Sequence, residues 1–174
     1  YDSLGRMTNQ THPDGAYFNT TYEIDDQVKT LNTPRGTVTH FYEPNLRRQI
    51  KIDYPESPDV LFYYDSVIGG NKGIGKITGI EKLGEIKTTL TYGPADRLNS
   101  ERKEFAGFAF DINYSYDRTG SVDSTSFGGR LFTYRNDYTG HILDMGYGGI
   151  KLTEYEYDPF YRINNQYFHD KKIR

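Results

Sequence analysis

A tyrosine followed by an acidic residue returns along this chain at a nearly constant interval, and self-similarity at a fixed period constrains a fold before any single residue does. Tyr1-Asp2-Ser3-Leu4-Gly5-Arg6-Met7 aligns with Tyr22-Glu23-Ile24-Asp25-Asp26-Gln27-Val28 and with Tyr157-Asp158-Pro159-Phe160-Tyr161-Arg162-Ile163. Between them stand Tyr42-Glu43, Tyr64-Asp65, Tyr92-Gly93-Pro94-Ala95-Asp96-Arg97-Leu98 and Tyr116-Asp117-Arg118-Thr119-Gly120-Ser121-Val122. In Asn136-Asp137-Tyr138-Thr139-Gly140-His141-Ile142 asparagine replaces the tyrosine. The eight anchors at 1, 22, 42, 64, 92, 116, 136 and 157 are 21, 20, 22, 28, 24, 20 and 21 residues apart. The long spacing is explained if Gly75-Lys76-Ile77 plays the part of Gly5-Arg6-Met7, which makes Ile68 to Gly75 an inserted glycine-rich loop.

The residues leading into each anchor alternate with period two, the signature of a strand with two unlike faces. Counting back by twos gives Phe18-Thr20-Tyr22, Val38-His40-Tyr42, Val60-Phe62-Tyr64, Ile112-Tyr114-Tyr116, Phe132-Tyr134-Asn136 and Thr153-Tyr155-Tyr157. The interleaved positions, such as Asn19-Thr21-Glu23 and Asn113-Ser115-Asp117, are polar. Ten of the 17 tyrosines lie at an anchor or two residues before one, so tyrosine belongs to the repeat.

A second, less regular strand follows each glycine-arginine position, from Met7 to Thr11 through Ile163 to Tyr167. Pro13-Asp14-Gly15, Pro34-Arg35-Gly36, Pro55-Glu56, Gly128-Gly129 and Gly148-Gly149 then supply turns, since proline presets φ and glycine accepts positive φ. Strand, turn, strand, turn in every repeat predicts an all-β, antiparallel meander of repeated hairpins, about sixteen short strands in one array over residues 1–174.

Composition supports an unusual interior and excludes several functions. Hydrophobic residues are 35%, while aromatics reach 16%, so burial rests on Tyr and Phe more than on aliphatic chains. A net charge of −3 offers no basic patch for nucleic acid. No apolar run reaches the roughly 18 residues of a membrane span. The absence of cysteine excludes disulfides and thiolate chemistry and leaves the redox compartment open. Neither terminus reads as a signal peptide, and both ends read as cuts within a longer protein.

The repeat resembles that of the YD-repeat, or Rhs-repeat, family. Tyr1-Asp2-Ser3-Leu4-Gly5-Arg6-Met7 followed by His12-Pro13-Asp14-Gly15 is close to the family's Tyr-Asp-x-x-Gly-Arg-Leu and Pro-Asp-Gly pattern, and Tyr64-Asp65 through Ile77 resembles its longer glycine-rich variant. Asp26, Leu46, Asp96 and Tyr161 depart from the expected glycine, and Gly93 and Asn136 from the expected aspartate and tyrosine. The resemblance implies a sheet that spirals into a hollow shell, as in bacterial polymorphic toxins, insecticidal toxin complexes and animal teneurins. It implies as partners the remaining YD repeats and the Rhs core of a parent protein and an enclosed toxin polypeptide. It also implies a secreted or cell-surface location. The family's downstream cleavage motif is not recognisable, because Asp158-Pro159-Phe160-Tyr161 is an ordinary copy, so protease function does not carry over.

The chemistry-bearing residues read as structural. Adjacent strand side chains point to opposite faces, so Tyr116 and Asp117 do not act on one substrate atom. The anchors Tyr1, Tyr22, Tyr42, Tyr64, Tyr92, Tyr116 and Tyr157, with Asp2, Gly5, Arg6, Asp65, Asp117, Gly120 and Asp158, are assigned to the repeat; no catalytic, cofactor-binding or metal residue is assigned. His12, His40, His141 and His169 are at least 28 residues apart and occupy different repeat positions, which does not suit a metal site. The stretch Gly69-Gly70-Asn71-Lys72-Gly73-Ile74-Gly75-Lys76 lacks P-loop spacing, and no Gly-x-Ser-x-Gly elbow occurs. Asn9-Gln10-Thr11, Asn19-Thr20-Thr21 and Asn113-Tyr114-Ser115 fit the glycosylation pattern, which matters only in a eukaryotic source. The expected function is a non-catalytic shell wall that encapsulates and helps deliver a toxin; the alternative is a surface for adhesion or for cell-surface glycans.

Overall fold

In the computed structural model, which describes residues 1–169, the chain forms β-strands in a sheet whose order is the order of the sequence. The strands are β1 Asn9–Thr11, β2 Tyr17–Tyr22, β3 Val28–Thr33, β4 Gly36–Tyr42, β5 Gln49–Asp53, β6 Val60–Tyr64, β7 Ile77–Lys82 and β8 Ile86–Tyr92. They continue as β9 Leu98–Phe105, β10 Phe108–Tyr116, β11 Val122–Phe127, β12 Arg130–Asn136, β13 Ile142–Tyr147, β14 Ile150–Tyr157 and β15 Ile163–Phe168. Just over half of the described residues are in strands; the helical segments are single 3-10 turns at Ile68–Gly70 and Pro94–Asp96, and neither could cross a membrane. The count is fifteen rather than about sixteen, because seven strands end on an anchor and eight follow an anchor turn.

The chain divides into two compact units: Tyr1–Thr89 with Glu104–Gly107, and Leu90–Lys103 with Phe108 onward. Each holds four of the eight anchors. In the first, Pro13-Asp14-Gly15 joins β1 to β2, and Pro34-Arg35 leads into Gly36 at the start of β4. In the second, Gly128-Gly129 joins β11 to β12 and Gly148-Gly149 joins β13 to β14, all four glycines having positive φ. Two further turns, Leu83-Gly84-Glu85 and Ala106-Gly107, lie in the units' other hairpin connections.

Why the second strand of each copy looked irregular is visible in the register. Thr21 pairs with Thr30 but Tyr22 with Val28, so Lys29 is an extra residue opposite the anchor. The same shift sets aside Ile50 opposite Tyr42, Thr78 opposite Tyr64, Asp123 opposite Tyr116, Leu143 opposite Asn136 and Asn164 opposite Tyr157. A β-bulge of this kind sets two residues against one and breaks period-two alternation in the bulged strand only. β10, which ends on an anchor and carries no bulge, keeps it: Phe110, Ile112, Tyr114 and Tyr116 are half-buried while Asp111, Asn113 and Ser115 are exposed.

Among the described residues no hydrophobic side chain is fully buried; the buried non-glycine residues are Asn71, Thr78 and Thr153. Stability therefore comes from the half-buried anchor face and from hydrogen bonding along the sheet. The cross-strand rows Leu31–Val38, Ile52–Val60 and Phe62–Ile80 line that face in the first unit, and Phe132–Tyr147 and Tyr134–Met145 in the second. The other face carries hydroxyl and amide ladders: Thr37 donates to Asn32, Asn32 to Asn19 and Asn19 to Asn9, and Thr21 meets Thr30 at 2.6 Å.

Candidate functional site: the anchor turns

Each anchor turn is closed by backbone bonds that suit its residues. Asp2 N–H donates to the Arg6 carbonyl at 2.9 Å and Gly5 N–H to the Asp2 carbonyl at 3.1 Å. The pattern repeats from Glu23, Asp117, Asp137 and Asp158. Aspartate at the first turn position, proline at the second and glycine at the fourth are the residues such a turn favours. Pro44, Pro94 and Pro159 occupy the second position. The fourth position has a left-handed backbone in every copy: Gly5, Asp26, Arg47, Gly75, Asp96, Gly120, Gly140 and Tyr161 have φ between +55° and +99°. This corrects the sequence alignment at the third copy, where Arg47 rather than Leu46 fills the glycine position. That turn carries one extra residue, Glu43 N–H reaches the Arg48 carbonyl, and Arg48 takes the arginine position.

The carboxylates cap their own turns. Asp2 Oδ1 accepts from the Leu4 and Arg6 amides, and Oδ2 from Arg6 Nε at 2.7 Å. Asp117 Oδ1 accepts from the Thr119, Gly120 and Ser121 amides and from the Thr119 hydroxyl. Asp137 and Asp158 repeat this arrangement, and Asp65 caps the inserted loop through the Gly75 amide at 2.6 Å. Hydrogen bonds to the charged form stabilise it. The Arg6 amide lowers the Asp2 pKa, the Thr119 hydroxyl that of Asp117, the Thr139 hydroxyl that of Asp137, the Arg162 amide that of Asp158 and the Arg48 guanidinium that of Asp65.

The tyrosines tie one turn to the previous one. Tyr22 Oη donates to the Met7 carbonyl, Tyr42 to Val28, Tyr64 to Gln49, Tyr116 to Leu98 and Tyr157 to Ile142, at 2.7–2.9 Å. Asn136, which lacks a hydroxyl, sends its amide to the Val122 carbonyl at 2.8 Å. Every acceptor directly follows the arginine position of the preceding copy. The arginine itself covers the next ring: Arg6 lies 4.6 Å over Tyr22, Arg48 4.3 Å over Tyr64 and Arg97 5.3 Å over Tyr116. Arg48 also forks to Glu43 and to Asp65, at 2.6 Å to Asp65 Oδ2, which raises its pKa. Tyr92 is half-buried at the end of β8, whereas Tyr1 is 82% exposed.

With both groups of a Tyr-Asp pair engaged separately, the pair offers no joint acid-base chemistry. Thr139, His141 and Asp137 resemble a nucleophile-base-acid set, with Thr139 Oγ1 2.6 Å from His141 Nδ1. Thr139 nevertheless donates its proton to Asp137, as Thr119 does to Asp117 in a turn without histidine, which identifies a cap. Among the described residues no three His, Asp or Glu side chains cluster as a metal site. His12 meets Phe18, His40 meets Gln49, and His169 meets Glu154. The glycine-rich loop presents the Asp65 carboxylate to its own amide at Gly75, an arrangement hostile to phosphate. Gly73 there is dictated by packing, since a Cβ would stand 2.4 Å from Thr78 Cγ2.

Sequence reasoning located the turns but missed the hydroxyl-to-carbonyl latch. Its one signal is the apolar or amide residue after each arginine position, six residues past most anchors and thus beside the following anchor once the strands pair.

No family model matches the chain, and no curated protein does. Solved structures do. One is the crystal structure of TcdB2–TccC3–Cdc42, with TM-score 0.73 and 15% identity, covering 94% of this chain and 11% of that one. Others are TcdB2–TccC3–TEV, with TM-score 0.70, 15% identity and coverage of 94% and 10%, and a Photorhabdus luminescens Tc holotoxin pore, with TM-score 0.69, 15% identity and coverage of 94% and 10%. The chain thus shares a fold with Tc toxin complex chains over nearly all its length, and spans about a tenth of theirs.

Proposed function

We propose that these residues are a run of YD repeats forming part of the wall of an Rhs-type shell, a non-catalytic structure that encloses a toxic polypeptide and helps deliver it. The fold shared with TcdB2–TccC3 complexes supports this reading. The observation that carries it is the use of the anchor residues: the carboxylate caps its own turn while the tyrosine hydroxyl and the guanidinium engage the neighbouring one, as in a structure extended by adding identical junctions. Its partners would be further YD repeats, an Rhs core and the enclosed polypeptide, in a secreted or surface-delivered protein.

The test is electron microscopy and limited proteolysis of the parent protein. A closed body whose internal polypeptide resists protease until the shell is denatured is expected. A protein that encloses nothing and binds a defined glycan through exposed aromatics such as Tyr17 or Phe108 would replace this reading with that of an adhesive surface.

A further inference from the structure

We propose that the outer edge of β15, with the turn 157–162 beside it, is a docking site for an extended polypeptide segment in which aromatic and polar residues alternate up to a tyrosine followed by an acid. β15 is last in the sheet order among the described residues, and all six of its positions are exposed. Edges of this kind take up added strands, whose backbone supplies affinity while alternate side chains supply selectivity. The internal junctions define what β15 selects. Each strand that ends on an anchor meets the strand before it in one register: the residue three before the anchor faces the residue two after the latch carbonyl, as in Asn19–Asn9, Thr39–Thr30, Leu61–Lys51, Thr133–Ser124 and Glu154–Asp144. On β15 the same register sets the incoming strand opposite Asn165 and brings its tyrosine hydroxyl to the Ile163 carbonyl.

The turn 157–162 is built like the turn 1–6, which receives Tyr22. Asp158 accepts from the Phe160 and Arg162 amides and from Arg162 Nε at 2.8 Å, as Asp2 accepts from the Leu4 and Arg6 amides and from Arg6 Nε at 2.7 Å. The two carboxylates are equally covered, at 22% and 23% exposure, but the arginines are not: Arg6, over the Tyr22 ring, is 24% exposed and Arg162 is 75% exposed. Arg162 lies instead 5.4 Å over Phe160 of its own turn. An incoming tyrosine gives this guanidinium the ring that Arg6 already has. The following acid adds a second contact, as Arg48 shows by covering Tyr64 while reaching Asp65 Oδ2 at 2.6 Å. This recognition rests on the junction geometry and is independent of whether the parent protein encloses a polypeptide.

The test is to titrate a labelled peptide with the sequence of residues 108–117, which ends in Tyr116-Asp117, with the full 174-residue chain, and to map the bound state by hydrogen exchange. Saturable binding with slowed exchange in β15, and not in β1, is expected. Tyr116→Phe in the peptide should weaken binding about fivefold, the worth of one hydrogen bond, and Tyr116→Ala more than about tenfold. Arg162→Ala in the chain should weaken binding of the tyrosine peptide about three- to fivefold and leave the alanine peptide unaffected, which isolates the guanidinium–ring contact. Absence of saturable binding, protection at β1 in place of β15, equal affinity for the tyrosine and alanine peptides, or an Arg162→Ala effect of the same size on both overturns the proposal.

Discussion

The Tyr116 hydroxyl donates a 2.7 Å hydrogen bond to the carbonyl of Leu98, eighteen residues earlier, while the guanidinium of Arg97 covers the same ring at 5.3 Å. One side chain is thereby gripped at tip and face by two adjacent residues of the preceding turn. Tyr116→Phe removes the tip contact and leaves the Leu98 carbonyl without that donor, and should cost about 1 kcal/mol. Tyr116→Ala also loses the half-buried ring and should cost about 2 kcal/mol, less than truncation of a fully buried aromatic. Arg118→Ala, on the exposed part of the same turn, should change stability by under about 0.5 kcal/mol. Equal midpoints for all three in urea titrations would refute the latch.

Arg48 contributes geometry as well as charge. Its fork reaches Glu43 and Asp65 while its plane covers Tyr64. Lysine keeps the charge but loses the fork and the stacking plane. Melting temperatures should therefore fall in the order wild type, Arg48→Lys, Arg48→Ala. A lysine variant indistinguishable from wild type would show that charge alone suffices.

The left-handed turn positions make opposite predictions for glycine gained and glycine lost. Ala106, at φ +48°, has a conformation that costs a Cβ-bearing residue about 1 kcal/mol. Ala106→Gly should raise stability by a few tenths to about 1 kcal/mol, the strain relieved minus the added unfolded-state entropy. Gly120→Ala should destabilise twice over, since φ is +99° and the new Cβ would come within 2.6 Å of Arg97 Nη2. Thermal unfolding that places both variants on the same side of wild type would contradict this account.

Acid should weaken the fold in two stages. Burial lowers the His40 pKa below its usual 6.5, and Gln49 Nε2 sits 2.6 Å from its Nδ1 as a donor to the neutral ring. A histidine held neutral gives stability that is complete above its unfolded pKa and declines below about pH 6.5, where the unfolded chain binds the proton first. The turn carboxylates Asp2, Asp117, Asp137 and Asp158 have lowered values, so their contribution is present above 3.8 and vanishes as pH falls through the folded-state values. Denaturant midpoints from pH 8 to 3 should show both stages, and His40→Gln should erase the upper one only.

Strand edges recruit other chains. β15 is exposed at all six positions, and Ile163 and Phe168 are 58% and 72% accessible. Light scattering should find the isolated chain associating, and Gln166→Pro, which removes an edge donor, should reduce association. A monodisperse monomer at tens of micromolar would contradict this.

The period of about 21 residues, the all-β class, the turns and the polar and aromatic faces were legible in the residues themselves, because each depends on contacts local in sequence. Alternation in β10 survives because both faces of an unbulged strand keep period two, whereas Val28 and Leu31, on either side of the Lys29 bulge, are spaced out of phase. The place of Arg47 and Arg48 was misread by one residue, since an extra residue in a turn leaves no mark until the backbone bond from Glu43 to Arg48 is seen. Which groups the tyrosines, arginines and carboxylates serve was decided only by the tertiary structure. Whether the Tyr157 hydroxyl meets Ile142, or the His141 ring stacks on Tyr161, depends on strand register across the bulges. A repeat period specifies that neighbours exist, but contacts of a few ångströms follow from the packing of one turn on the next.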